Sequence, residues 1–562
     1  MKKKLYQSLF LGLVVLAVFT LFLISKPSVQ ESPPPNQDLF DQGNMGKDGH
    51  PKMEYALYKK IQYYLAGQDA NTLPFVQKVE EELEPGGIIQ VIVEAPLRGL
   101  TLSEQSKAKT MIQTFIENVG GSVEKIRKNR VQCRLPLNIL LQMADLPFVK
   151  YIRLPIRDFT MVTTEGVSAT GADTWQSTTA YRGNGAKVGV LDLGFKGYTS
   201  LLGTELPSTV TAQSFRTDGD IEAGSVHGTA CTEIVHDMAP DANLYLANYS
   251  TLDDKEDAVD WLLSQGVNVI TSSTGNYTGG AGDGTGPYCE IVKTAYDAGV
   301  PYVNSAGNAA QDHWRGTWSD TDSDKWHNFS GLDEICYYYV PSYTLTAIYL
   351  KWYDWGGWDG TSYGGSDQDF DLYLYIYSGG IWQYVDHSYN WQNGTQWPTE
   401  AVGYWYATGS TYWGAAIRKY SATKNVTFDL YVTGNSSAIE YPVAASSLVI
   451  PADSEHAITA GANDFASPYN IHYYSSRGPN LAGIIKPDIA SPSGVSTDTY
   501  GYANFFGTSA SAPHVAGAIA LMLGKTPYTP MEVWTILQSR AGELGAAGKD
   551  NVYGYGRLKL DK

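Results

Sequence analysis

A chain of 562 residues with 43% hydrophobic content can bury several large cores, so this is a multidomain globular protein. A formal net charge of -18 excludes a nucleic-acid partner and gives no reason for the folded part to bind anionic lipid. Four cysteines (Cys133, Cys231, Cys289, Cys336) are too few for a disulfide scaffold, although a Cys289–Cys336 pair stays open.

Lys2, Lys3 and Lys4 precede an apolar run from Leu9 to Ile24, the pattern of an export signal over residues 1–26. No Ala-x-Ala site follows, and the run is intermediate between a signal core and a full span. The expected product is exported, either secreted or tethered to the outer membrane face by an uncleaved anchor. Residues 27–86 read as a Pro-rich tether with Pro33-Pro34-Pro35, followed by short helices around Glu54 to Ala66 and Pro74 to Leu83.

From Gly87 the periodicity predicts strand (Ile88 to Glu94), helix (Ser103 to Val119), two strands (Ser122 to Lys128, Val131 to Leu135), helix (Asn138 to Ala144) and strand (Val149 to Leu154). That is an α+β module of ferredoxin-like character over residues 87–156, with no catalytic spacing in it. From Asp173 strand and helix alternate as in a parallel sheet, the first part of a core over 157–309. Seven short aromatic strands between about Ala310 and Ile439 then read as a β-sandwich inserted at 310–440. The α/β pattern resumes at Ala457 and continues within 441–562. The sandwich aromatics, among them Trp355, Trp358, Tyr373, Tyr375, Trp382 and Trp391, are expected in its core and sheet faces rather than on a sugar platform. Asp367, Asp369 and Asp371 alternate along one strand and are weak candidates for a structural Ca2+, with solvated loop charge as the alternative.

The chemistry-bearing residues fall at element ends. Asp192 ends the strand Lys187-Val188-Gly189-Val190-Leu191, His227 begins a helix, Asn308 ends Asn304-Ser305-Ala306-Gly307, and Ser509 lies in Phe506-Gly507-Thr508-Ser509-Ala510-Ser511-Ala512-Pro513-His514-Val515-Ala516-Gly517 where a loop becomes a helix. Each alone is an ordinary cap, turn or core residue. A serine nucleophile, however, needs a base, a group that orients the base, and donors for the oxyanion, and these four supply that set.

Their order and local motifs resemble those of subtilisin-like serine peptidases, as do Tyr474-Ser475-Ser476-Arg477-Gly478-Pro479, Lys486-Pro487-Asp488 and Gly554-Tyr555-Gly556-Arg557-Leu558. The resemblance covers about Asp173 to Leu558. It implies a subtilisin-like α/β core, a parallel sheet with helices on both faces, preceded by a propeptide-like domain and interrupted by an all-β sandwich. It further implies Ser509 as nucleophile, His227 as general base and acid, Asp192 as the group that orients His227, Asn308 in the oxyanion hole, and Ser273, Thr274 and Gly275 on the strand that pairs with substrate backbone. No cofactor is needed for such chemistry. The expected partners are a protein or peptide substrate and the chain's own module as intramolecular inhibitor, released by self-cleavage near Pro155 to Thr164. Cys231, one helical turn after His227, is expected beneath it as a small buried hydrophobe; thiol-dependent subtilases carry a cysteine at a matching place. The loop Gly279 to Gly286 departs from the family, so its pocket is not readable. A surface binding protein on a peptidase scaffold would lack triad residues, and a sedolisin would replace the His and Asn with acidic groups; neither description fits.

Overall fold

Strands that are apolar throughout, such as Lys187-Val188-Gly189-Val190-Leu191, need a sheet covered on both faces. The computed structural model of the protein, which describes residues 50–65, 77–79, 87–96, 101–155, 159–160, 166–523 and 528–561, contains one. Its seven strands run in the order Ile489–Ser493, Ala457–Asp464, Tyr302–Ser305, Val269–Ser272, Lys187–Asp192, Asn243–Asn248 and Thr211–Ser214. All six pairings are parallel. The helices His227–Met238 and Thr508–Leu523 pack together on one face, while Leu252–Ser264 and Pro287–Asp297 cover the other with a second apolar cluster. Every residue of Thr508–Leu523 is buried, which fits its run of small and aliphatic side chains. Gly517 is required there: a Cβ at that position would sit 2.3 Å from the Cβ of Met238.

The module folds as expected. Its sheet order is Ser122–Arg127, Arg130–Pro136, Ile88–Glu94, Tyr151–Arg153, all antiparallel, with Leu102–Asn118 packed against it. It docks onto the N-terminal end of Leu252–Ser264 through charge. Lys125 Nζ reaches Asp254 at 2.5 Å and Asp257 at 2.9 Å, and Arg130 Nε donates to the buried Asp253 at 2.8 Å. Acidic residues in a first helical turn suit the positive end of the helix dipole, and here they also receive the cations of the module.

The insertion is a sandwich of two four-stranded antiparallel sheets, one of them extended to five strands by a segment from before the module, around a core that includes Trp352, Trp405, Trp413, Phe370 and Leu430. It contains a strand, His313–Thr317, beyond the seven expected. The helix expected over Pro74 to Leu83 is corrected: Gln77–Val79 is a strand, antiparallel to Thr399–Tyr406 at the edge of the five-stranded sheet. An unpaired sheet edge supplies backbone partners that outweigh a weak local helix preference. The other residues of that expected helix, and the export signal and most of the tether at 1–49, lie outside the described residues. Among the described residues no helix is long and apolar enough to cross a membrane. Cys133, Cys231, Cys289 and Cys336 are free and buried, so Cys289 and Cys336 do not pair. Cys289 Sγ lies 3.6 Å from Asp453 Oδ1, whereas Cys336 is in the sandwich core.

Gly517→Ala is expected to destabilise the folded chain by about 1–3 kcal/mol through overpacking against Met238. Urea unfolding of a Ser509→Ala background checks this, with Gly409→Ala, which meets nothing within 4 Å, as the control expected to change little.

Candidate active site

The parallel sheet brings Asp192 to a strand end, where loops can hold polar side chains. Asp192 is fully buried; its Oδ1 accepts from the Leu193 backbone N–H at 2.8 Å, and its Oδ2 lies 2.7 Å from His227 Nδ1. The helix carrying His227 starts against this strand because residue 228 is glycine. A Cβ there would lie 2.5 Å from the Gly194 carbonyl and 2.8 Å from the Asp192 Cβ. Burial by itself disfavours the imidazolium, but the Asp192 carboxylate outweighs it, so His227 is held well above its ordinary value.

Ser509 lies in the first turn of Thr508–Leu523. Pro513 has no N–H to donate to the carbonyl four residues earlier, so the Ser509 carbonyl loses its helical partner. Two side chains from elsewhere take it up: Ser273 Oγ donates to it at 2.8 Å and Cys231 Sγ lies 3.6 Å away. The same Cys231 thiol is 3.9 Å from His227 Nδ1. One thiol therefore touches both the histidine and the serine backbone, beneath the histidine as expected. Burial raises the Cys231 thiol, which keeps it protonated and able to donate. Ser509 Oγ itself reaches the Ser273 carbonyl at 3.4 Å.

Asn308 follows Tyr302–Ser305. Its Oδ1 accepts from both the N–H and the hydroxyl of Thr508, each at 3.0 Å, and the Thr508 hydroxyl accepts from the Gly307 N–H at 3.1 Å. A backbone N–H can only donate, so the carboxamide oxygen must face Thr508 and Nδ2 must project the other way. Thr508 as the residue that orients this amide was not singled out in the sequence; the Gly-Thr-Ser triplet was its only signal.

Ser273, Thr274 and Gly275 run beside Ser509, and the side chains of Ser273 and Thr274 are buried. The Thr274 hydroxyl contacts Tyr249 at 2.5 Å and the buried Lys255 at 3.3 Å. The Thr274–Gly275 backbone pairs antiparallel with Phe159–Thr160, the segment that follows the module. The loop Gly279 to Gly286 is held by the insertion: Tyr363 accepts from the Ala281 N–H at 3.0 Å and donates to the Thr285 carbonyl at 2.8 Å. That clamp has no signal in the sequence. The secondary motifs brace the strand ends. Tyr474 OH accepts from the Gly507 N–H at 3.0 Å, Ser476 Oγ from the Ala309 N–H at 2.9 Å, and Lys486 Nζ spans Asp488 and the Ala457 carbonyl, both at 2.7 Å.

Asp367 is exposed and lies 3.5 Å from Lys424, while Asp369 and Asp371 are buried within the sheet. Among the described residues, the ligand-type atoms that converge are those of Asp192, His227 and Cys231, and those of Asp320, Asp322 and Asp324. Trp355, Tyr373, Tyr375 and Trp382 are buried in sandwich clusters.

The His227 ring is expected to keep its proton above pH 6.5 and lose it as pH rises through the raised value. In Asp192→Asn burial still disfavours the imidazolium while the largest raising influence is gone, so the midpoint should fall well below that of the parent. Proton or nitrogen NMR of the imidazole in both proteins checks the sign.

Residues 389–556, less than a third of the chain, match the model described as the Subtilase family. The chain is similar to an extracellular serine protease of Serratia marcescens, 41% identical over 61 residues that make up 11% of this chain and 6% of that protein. It is also similar to subtilisin BL of Lederbergia lenta, 34% identical over 142 residues, 25% of this chain and 47% of the relative. It thus spans no more than about half the length of these curated relatives. A solved structure of the Clostridium perfringens CspB protease aligns at TM-score 0.49 with 17% identity, over 70% of this chain and 97% of that one. The family match over residues 389–556, the motif order and the parallel-sheet core together make this chain similar to the subtilisin-like serine peptidases of the Subtilase family.

Proposed function

We propose that the protein is an exported serine endopeptidase, made as a zymogen, that hydrolyses peptide bonds of protein substrates through an acyl-enzyme. The 2.7 Å contact between buried Asp192 and His227, at a site where one thiol spans His227 and Ser509, carries the proposal.

Asp192 accepts the Nδ1 proton of His227 and leaves Nε2 as the basic nitrogen. His227 takes the proton of the Ser509 hydroxyl as its oxygen attacks the substrate carbonyl, then returns that proton to the leaving amine. Asn308 Nδ2 and the Ser509 N–H donate to the developing oxyanion, and the Thr508 contacts fix the amide in advance, so little reorganisation is needed at the moment of reaction. Water then enters, His227 activates it, and the acyl group leaves. Substrate would lie along Thr274–Gly275 by β-augmentation, where the chain's own Phe159–Thr160 now lies. This pairing supports the module as intramolecular inhibitor and the following segment as the first bond cut. The family's extracellular relative and the sequence pattern at residues 2–24 support export, with the N-terminus either cleaved or retained as an anchor.

Ser509→Ala is expected to leave a full-length precursor without proteolytic activity, while the parent yields a new N-terminus in or near Pro155 to Thr164; N-terminal sequencing and intact mass read both. Normal processing in the variant would mean that another protease makes the cut. Asn308→Ala should lower kcat by about 100- to 1,000-fold with little change in KM, the loss associated with the corresponding asparagine of subtilisin.

A further inference from the structure

The helix His227–Met238 carries a buried carboxyl group that the steps of hydrolysis do not use. Glu233, six residues after His227, is 2% exposed, and among the described residues no cation pairs with it. Its partners are three donors of a single turn. Glu233 Oε2 accepts from the Asp498 N–H at 2.6 Å, and Oε1 accepts from the Thr499 N–H at 3.3 Å and from the Thr499 hydroxyl. Burial pushes the carboxyl up to about 7 even though all three donors lower it. A carboxylate buried without a cation costs free energy, so an apolar residue would serve the helix better unless the turn it grips has a task. Residues 498–500 close the hairpin of Val495–Thr497 and Gly501–Phe505, which form a two-stranded sheet of their own. Two strands alone are marginal in water, so the geometry of this hairpin depends on what holds it. The hairpin reaches the histidine by two routes. The Phe505 ring meets the His227 ring edge-on, with 5.9 Å between centres and 65° between planes, and Tyr500 stacks on Phe505 at 5.2 Å. The Tyr500 hydroxyl also hydrogen-bonds the Ser225 side chain, whose Oγ accepts from the His227 N–H at 2.9 Å.

We propose that Glu233 is a positioning residue for the general base: it clamps the hairpin turn so that Phe505 and Tyr500 hold the His227 imidazole at the angle from which it serves the Ser509 hydroxyl. This rests on the reading of His227 as the base. Asp192 fixes one ring nitrogen, but a contact at one atom leaves the ring plane free to tilt about it. An edge-on phenyl ring closes that freedom, and Phe505 stands only four residues before Ser509, so one hairpin sets both partners. At 1.5 Å of rise per residue Glu233 lies about 9 Å along the helix from His227, which keeps its charge away from the reacting atoms. The helix thus grips the hairpin at its turn through Glu233 and meets its far end through His227. A change of volume or charge at residue 233 therefore acts on the imidazole through the hairpin.

The test has a kinetic arm and a spectroscopic arm. Hydrolysis of a peptide substrate by the full chain is followed at a pH well above 7, where the Glu233 carboxylate is ionised, and well below the thermal midpoint of each variant. Glu233→Ala should lower kcat by about 100-fold and leave KM within about twofold, the loss that a displacement of about 1 Å at the reacting groups can cause. Glu233→Gln keeps the volume and one acceptor oxygen and should recover about tenfold of that loss. In the full chain with Ser509→Ala, the imidazole NMR signals of His227 should shift in Glu233→Ala, because the ring current of Phe505 acts on them, and move back toward the parent in Glu233→Gln. The signals of His514, buried on Thr508–Leu523, should stay in place and show the core to be folded. A Glu233→Ala protein with the parent's kcat, or with unmoved His227 signals, overturns the proposal and makes Glu233 a purely structural clamp. If the parent itself showed no Ser509-dependent hydrolysis, the peptidase reading would fall, and the imidazole signals would still decide whether Glu233 sets the angle of His227.

Discussion

A carboxylate and an imidazole 2.7 Å apart, both sealed from solvent, set the terms for the rest of the core. Each would be costly to bury alone, and removing one partner of such a pair typically costs about 3–5 kcal/mol. The pair therefore fixes where the strand Lys187–Asp192 must end relative to the start of His227–Met238. Everything nearby serves that junction. Gly228 lets the helix come close, Gly517 lets the serine-bearing helix pack on the histidine-bearing one, and Pro513 frees a carbonyl that Ser273 and Cys231 then hold. The polar groups at the centre are thus satisfied by one another rather than by water, which is how a group of small residues can present a hydroxyl in a dry site.

The two accessory units attach to this core in different ways, and the difference follows from their composition. The module presents Lys125 and Arg130 to acidic residues at the head of one helix, an electrostatic contact sensitive to salt where it is exposed. Its trailing strand pairs antiparallel with Thr274–Gly275 through the backbone. The insertion instead meets the core through aromatic packing and the Tyr363 hydroxyl, with Tyr277 stacked on Tyr431 at 4.2 Å between ring centres. A charged contact is compatible with the release of the module proposed above, and an apolar one with a permanent part of the fold. The sandwich is accordingly part of the wall behind the Gly279 to Gly286 loop rather than an appendage.

Much was legible before any coordinates. The four apolar strands around Asp192, Ser272, Asn304 and Ala457, the ferredoxin-like order of the module, and the sandwich all announce themselves by periodicity, because burial on both faces, on one stripe or on alternate residues leaves a distinct pattern in a sequence. Asp192, His227, Asn308 and Ser509 stand out together in the sequence because each ends or begins an element, where short motifs persist; the structure joins Asp192 to His227 and sets Asn308 against Thr508, the neighbour of Ser509. Gln77–Val79 was misread as helix because three residues carry no reliable period, and a distant sheet edge at Tyr404–Tyr406 decides their state. His313–Thr317 was missed for a similar reason: its partners Thr427–Thr433 are more than a hundred residues away.

The sequence by itself determined the classes of element, their order, and the identities of the groups available for chemistry, since these depend on local composition and spacing. Tertiary structure alone decided which polar atoms meet. The orientation of the Asn308 amide depends on Thr508, the partner of the Ser509 carbonyl comes from Ser273 and Cys231, and the alternating aspartates that converge are Asp320, Asp322 and Asp324 rather than Asp367, Asp369 and Asp371. The physical reason in the first two is that a hydrogen bond acts over about 3 Å, and only the packed chain brings residues separated by hundreds of positions within that range; the aspartates are close in sequence, and the course of their loop decides that they converge.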